Sequence, residues 1–254
     1  YFYIIQIAIQ KELPMRRTDK LWGGFSLIQD DRFFKLGQDT MLLSDFACPP
    51  ARGKVMDLGC GNGALSVLLC ARHPHITVTG LEIQPEVAAL AQENIQHNQL
   101  EQRMQVRCGD MKQCKTMFPT GSFDYVVCNP PYFAQNSGFS AKNINKSTAR
   151  QDSSGTAADA VQAAAYLVKF GGRVAFVYRP ERVCELIAQM KARQLEPKRI
   201  RFVHQQATAV PSAVLIEARR GSAPGVQVLP PLLVCGENGE HTKEYRTIYH
   251  REEF

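Results

Sequence analysis

Residues 55–73, VMDLGCGNGALSVLLCARH, restrict the fold more than any other stretch of the chain. A short apolar run meets three glycines and passes directly into an apolar run of helical length. A strand that leaves its sheet through a helix returns parallel to itself, so this unit predicts a βαβ arrangement. Gly59, Gly61 and Gly63 follow a GxGxG spacing. Glycine lets the backbone turn sharply and approach a ligand closely, and the first turn of the next helix offers N–H groups to an anion. An ordinary strand–helix connection has the same pattern, so the turn alone does not define a site.

From about Gly53 onward, short runs rich in Val, Ile and aromatics alternate with helical patterns, which predicts an α/β fold with a mostly parallel sheet and helices on both faces. The expected strands are Lys54–Leu58, Thr77–Glu82, Met104–Cys108, Phe123–Cys128 and Arg173–Tyr178, with Lys198–Val203 and Ala213–Arg219 closing one edge as a hairpin. That makes seven strands. One helix is expected from Pro85, with Val87, Leu90, Ala91, Asn94 and Ile95 on a single face. A second is expected from about Gly155 to Phe170, stopped by Gly171-Gly172, and a third over Glu181–Arg193. The polar, aperiodic stretch 134–154 reads as a functional loop or a disordered one. The tail after Pro224 reads as irregular, with one short strand around Val226–Val234.

Acidic residues stand at three successive strand ends: Asp57, Glu82 and Asp110. Any one of them could cap a helix. Together with the glycines they point to a nucleoside cofactor, because Glu82 falls where a carboxylate accepts hydrogen bonds from ribose hydroxyls and Asp110 where one meets an adenine amino group. At this level NAD and S-adenosylmethionine remain equally possible.

The fourth strand runs into Asn129-Pro130-Pro131-Tyr132, at the carboxyl end where open α/β sheets bind ligands. A rigid turn explains the prolines but not the flanking residues. An exocyclic amino nitrogen on a heterocycle is a poor nucleophile because its lone pair is delocalised. The Asn129 side-chain oxygen and the Pro130 carbonyl can accept its two protons and favour a pyramidal nitrogen, a gain made by positioning and electrostatics. Tyr132 can stack on the base for roughly 1–3 kcal/mol.

Composition narrows the setting. The 30 Lys and Arg exceed the 24 Asp and Glu, a balance that favours a polyanionic partner. Lys191, Arg193, Lys198, Arg199 and Arg201 form the densest basic run, and Lys142, Lys146 and Arg150 lie in the long loop. The eight Cys form no CxxC pair and several sit in apolar runs, as expected for free thiols in a reducing compartment and not for disulfides or a metal site. YFYIIQIAIQ is too short to span a bilayer and lacks the layout of a signal peptide. The expectation is a cytoplasmic protein without membrane association or metal, with residues 1–20 as a leader. Residues 21–254 would form one domain, comprising an extension (21–52), the central fold and a tail (224–254).

DLGCGNG at 57–63 resembles the first motif of Rossmann-like class I methyltransferases, and CNPPYF at 128–133 resembles the motif of amino-methyltransferases acting on adenine, guanine or glutamine amides. With GQDTMLLSDF at 37–46, GLEIQ at 80–84, YRPER at 178–182, EPKRIRFVH at 196–204 and VLPPLLV at 228–234, the chain resembles the bacterial tRNA(Val) adenine-N6 methyltransferase family from about Leu21 to near its end. The resemblance implies S-adenosylmethionine as cofactor and a transfer RNA as partner, methylated on the 6-amino group of an adenine beside the anticodon. It places Gln38, Asp39, Thr40, Asp57, Gly59, Gly61, Gly63, Glu82, Ile83, Asp110, Met111 and Asn129 around the cofactor. It makes Asn129, Pro130 and Tyr132 catalytic. Tyr132, Phe133, Lys142, Lys146, Arg150, Lys198, Arg199 and Arg201 are expected at the substrate. Gln38-Asp39-Thr40 has a plainer reading, in which Asp39 or Thr40 caps a helix running to Phe46. One departure is Ala149-Arg150-Gln151-Asp152, where an ARHE-like stretch is expected. Glutamine-amide and ribosomal guanine methylation remain the alternatives, and monomer and homodimer are both open.

Overall fold

The computed structural model describes residues 15–130 and 153–249, the side chains of the second stretch from 157 onward. Two antiparallel strands, β1 (Arg16–Lys20) and β2 (Ser26–Asp30), form a hairpin ahead of α1 (Gln38–Phe46). Arg16–Lys20, expected to belong to a leader, instead pairs along its full length with Ser26–Asp30. Next come β3 (Lys54–Leu58), α2 (Ala64–Arg72), β4 (Thr77–Glu82), α3 (Pro85–His97), β5 (Met104–Cys108), α4 (Cys114–Met117) and β6 (Phe123–Cys128). The chain continues through α5 (Ser153–Leu167), β7 (Val168–Tyr178), α6 (Val183–Lys191), β8 (Leu195–His204), β9 (Pro211–Arg220), β10 (Gln227–Val228), β11 (Leu232–Leu233) and α7 (Lys243–Ile248).

The central sheet runs β10-β8-β9-β7-β6-β3-β4-β5, with β11 also on β8. Five long strands are parallel, and β9 pairs antiparallel with both β7 and β8. The seven expected strands are present, and the difference is at the edge. The tail is not irregular, since β10 and β11 add to the outer side of β8 and α7 follows. A covered edge exposes fewer unpaired backbone groups, which limits strand addition by another chain.

Helices lie on both faces. Leu42, Leu43 and Phe46 of α1, Leu65 and Leu69 of α2, Ile95 of α3 and Tyr245 of α7 join one apolar cluster with Val55, Tyr125 and Val127. Alanines of α5, with Leu186 and Met190 of α6, join the other with Met56, Val126 and Phe176. Among the described residues no helix is long and apolar enough to cross a membrane.

One helix boundary differs for a physical reason. The glycines expected to stop α5 lie inside β7, which already pairs Val168 with Phe123 before its register shifts. A Cβ on Gly172 would come within 2.8 Å of the Asp124 carbonyl oxygen and 2.7 Å of a Val168 methyl. These glycines thus serve a strand bulge against β6.

The hairpin is fastened by two asparagines of the α3 region, one turn apart. Asn94 accepts from Ile28 N–H (2.7 Å) and donates to Ile28 carbonyl (3.1 Å), and Asn98 makes the same pair with Ser26 (2.9 and 2.8 Å). Each carboxamide substitutes for a neighbouring strand. Asn94 also donates to the Asn62 carbonyl at 3.0 Å, so the hairpin and the glycine turn share one buried clamp.

Candidate active site

Strand register decides what meets at the carboxyl end of the sheet. Leu58 of β3 pairs with Cys128 of β6 on one side and Leu81 of β4 on the other, and Glu82 pairs with Cys108 of β5. The residues that follow, Asn129, Gly59, Ile83 and Gly109-Asp110, therefore leave four adjacent strands side by side. Strand order reverses here, with β4 and β6 on opposite sides of β3, which is the switch point where such sheets open a crevice. With strands about 4.8 Å apart, Asn129 and Glu82 stand roughly 10 Å from each other across the turn.

The turn is built from backbone. Gly59 and Cys60 N–H donate to the Leu81 carbonyl (2.8 and 3.1 Å), and Gly63 N–H to the Cys60 carbonyl (2.9 Å). The three glycines have φ of +71°, +56° and +83°. They do different work. A Cβ at Gly61 would meet nothing within 4 Å, and one at Gly59 only the Met111 methyl at 3.8 Å. One at Gly63 would lie 3.0 Å from the Met104 methyl, so that glycine lets α2 seat against β5. Gly80, not anticipated as a special position, admits Cys60 beneath the turn, where a Cβ would come within 2.6 Å of its sulfur.

Glu82 is buried and directed by two backbone donors, Gly61 N–H to Oε2 (3.0 Å) and Gln84 N–H to Oε1 (2.9 Å). A carboxylate has about four acceptor sites, so this one keeps capacity for a diol. Ile83 beside it is 57% exposed. Asp110 accepts from Lys112 N–H (2.8 Å) and caps a short 3₁₀ turn that carries Met111 at the same rim.

Asp57 lies beneath the turn and accepts the Ser66 hydroxyl at 2.7 Å. Burial pushes its carboxyl up to about 7, against the pull of Ser66 and with added repulsion from Glu82. Asp39, in the first turn of α1, is also raised by burial. Neither Asp39 nor Thr40 caps that helix: the cap is Gly37, with no side-chain bond. Instead Asn129 Nδ2 donates to Thr40 Oγ1 at 3.0 Å. Sequence reading missed that pairing, since 89 positions separate the partners. Pro130 is buried beside Asn129. Pro131, Tyr132, Phe133, Lys142, Lys146 and Arg150 lie outside the described residues.

Each residue of the basic run has a partner within the protein. Arg199 reaches inward, with its guanidinium 4.4 Å from the Phe46 ring centroid, 3.2 Å from the Phe46 carbonyl and 3.5 Å from both oxygens of buried Glu217. Arg201 pairs with Glu244 (2.6 Å) and donates to the Pro230 carbonyl (3.0 Å), and Lys198 donates to the carbonyls of Ala223 and Gly225 (2.6 and 3.1 Å). These three expected substrate contacts thus bond to the tail, to α1 and to β9. Among the described residues no group of three or more His, Cys, Asp or Glu converges to hold a metal ion.

A doubly wound sheet with a glycine turn and an Asn-Pro strand tip at its switch point is the class I methyltransferase architecture. The chain belongs to the methyltransferase small domain family, whose model matches residues 36–192. A tRNA1(Val) (adenine(37)-N6)-methyltransferase from Vibrio vulnificus is 34% identical over 126 residues, 50% of this chain and 51% of that protein. The chain thus matches about half the length of this curated relative. Among solved structures, a predicted O-methyltransferase from Agrobacterium tumefaciens shares the fold with a TM-score of 0.69 at 22% identity, covering 84% of this chain and 96% of that one. A T. thermophilus 16S rRNA N2 G1207 methyltransferase, bound to AdoMet and guanosine, does so with a TM-score of 0.57 at 19% identity, covering 82% and 51%.

Proposed function

We propose that this protein transfers a methyl group from S-adenosylmethionine to the 6-amino group of an adenine in transfer RNA, beside the anticodon of tRNA(Val). The observation that carries the reading is the register that brings Asn129 and Glu82 to opposite sides of one glycine turn. The turn and its acids fit the cofactor. Gly61 borders open space and Gly59 faces only the Met111 methyl, Glu82 has acceptor capacity for the ribose, and Ile83 and Met111 offer apolar contact to the adenine. Asp39 and Asp57, both raised by burial, gain a reason to ionise when an ammonium group arrives nearby. When bound, S-adenosylmethionine supplies an electrophilic methyl group on a sulfonium.

Asn129 Oδ1 and the Pro130 carbonyl accept the two protons of the target amino group and aim its lone pair along the transfer line. Held there, the amine would take the methyl group and release its extra proton to solvent, so that no side chain is needed as a base. Tyr132 stacks on a base already unpaired or turned out of its helix.

The test is transfer of labelled methyl groups to unmodified tRNA transcripts, followed by nucleoside analysis. N6-methyladenosine in tRNA(Val) is the expected product. N2-methylguanosine in ribosomal RNA, or label in a glutamine-containing peptide with none in RNA, would replace this substrate by one of the alternatives.

A further inference from the structure

A carboxamide is two-faced: its oxygen only accepts and its NH₂ only donates. For Asn129 to receive a proton from an exocyclic amine, the oxygen must face the base and the NH₂ must be occupied elsewhere. Turned over, the same side chain would set two donors against each other. A strand tip followed by proline fixes the backbone at this position but not the rotation of the amide plane.

The structure assigns the placing of that carboxamide to Thr40, whose hydroxyl can donate or accept and here accepts, which leaves Oδ1 free to face the base. Its Oγ1 takes the Asn129 NH₂ at 3.0 Å, and its side chain is buried in the first turn of α1. Threonine in a helix has two accessible χ1 rotamers, and it is the burial of Thr40 that holds its Oγ1 against the Asn129 amide. The helix that presents it is fixed at its far end by Arg199 on Phe46 and by Arg72, which donates to Ser44 Oγ (3.1 Å) and Asp45 (3.0 Å). Thr40 is therefore a positioning residue for Asn129, reaching across from the GQDT segment to hold the acceptor toward the substrate amine. This inference rests on the catalytic reading of Asn129 above.

Thr40→Val keeps shape and removes the hydroxyl, and Thr40→Ser restores it. In the full chain, with an unmodified tRNA1(Val) transcript, kcat should fall about ten- to a hundredfold in Thr40→Val and recover to within a few-fold of wild type in Thr40→Ser. Thr40→Val added to Asn129→Ala should cost nothing more than Asn129→Ala alone. A binding readout separates orientation from turnover. With S-adenosylhomocysteine present, wild type should prefer an anticodon stem-loop carrying adenine over one carrying 2-aminopurine, which has no 6-amino group, and Thr40→Val should lose that preference. Full activity in Thr40→Val, an undiminished preference for adenine over 2-aminopurine, or a further drop in the double variant would each overturn the inference. Wild-type turnover in Asn129→Ala would sink the underlying catalytic reading instead.

Discussion

Two polar clusters lie on the same sheet under opposite ends of α1. At the carboxyl ends of the strands, Glu82, Asp110 and Asn129 each bond to the protein with only part of their hydrogen-bonding capacity. Toward the other end, Tyr125 donates to Glu217 at 2.6 Å and accepts from Cys48 N–H at 3.1 Å, while Arg199 and Arg173 approach the Glu217 carboxylate at 3.5 Å. Burial and the neighbouring Glu217 hold the Tyr125 hydroxyl well above its ordinary range, so it stays a donor. The lower cluster spends its polar groups internally and holds the fold together, whereas the upper one keeps acceptors in reserve. Being buried and polar does not distinguish a site, but unspent capacity does.

The largest expected difference comes from Asn129→Ala. Turnover should drop about a hundred- to a thousandfold in the methyl-transfer assay, with the urea midpoint almost unmoved. A variant that instead lost stability would erase the contrast between the clusters. Glu217→Ala should do the reverse. Tyr125 and two arginines would lose their partner, costing about 2–3 kcal/mol by urea denaturation, limited because both guanidiniums keep water access, while kcat per folded molecule stays at the wild-type value.

Asp57 sharpens the comparison through pH. Its folded carboxyl titrates near 7 and its unfolded one near 3.8. The folded state therefore holds more protons between those values, and this residue's contribution makes stability fall as pH rises from about 4 to about 7. Asp57→Asn lacks that contribution, so its stability relative to wild type should climb through the same window and level off above it. Denaturation at stepped pH checks the sign, and a relative stability that fell with pH would refute it.

The smallest effect is expected where sequence reading placed RNA contacts. Lys198→Ala and Arg201→Ala should leave the salt slope of RNA binding unchanged, because both cations already serve the tail. Lys142→Ala and Lys146→Ala, if those residues meet phosphates, should each reduce the slope by about one. Equal slopes in all four variants would place the RNA elsewhere.

Much of the fold was legible. Lys54–Leu58, Thr77–Glu82, Met104–Cys108 and Phe123–Cys128 have the bounds read from their apolar runs, and α3 starts at the expected Pro85. Gly171-Gly172 resembled a helix stop because a local pattern does not reveal a register shift against β6. Asn94 stood on the apolar face of α3 without explanation until β2 supplied its partner.

What the residue order determines by itself is local: where side-chain periodicity favours strand or helix, and where only glycine can make the turn at 59–63. Those outcomes depend on neighbours within a few positions. Which polar groups find each other depended on strand order and on the lie of α1. Thr40 with Asn129, Arg199 with Glu217 and Asn94 with the hairpin are partners between 66 and 89 positions apart or, for Arg199, across a strand pair. A polar residue looks the same in a sequence whether it will be satisfied internally or left facing a ligand. Only packing, by admitting or excluding water and partners around it, decides between the two.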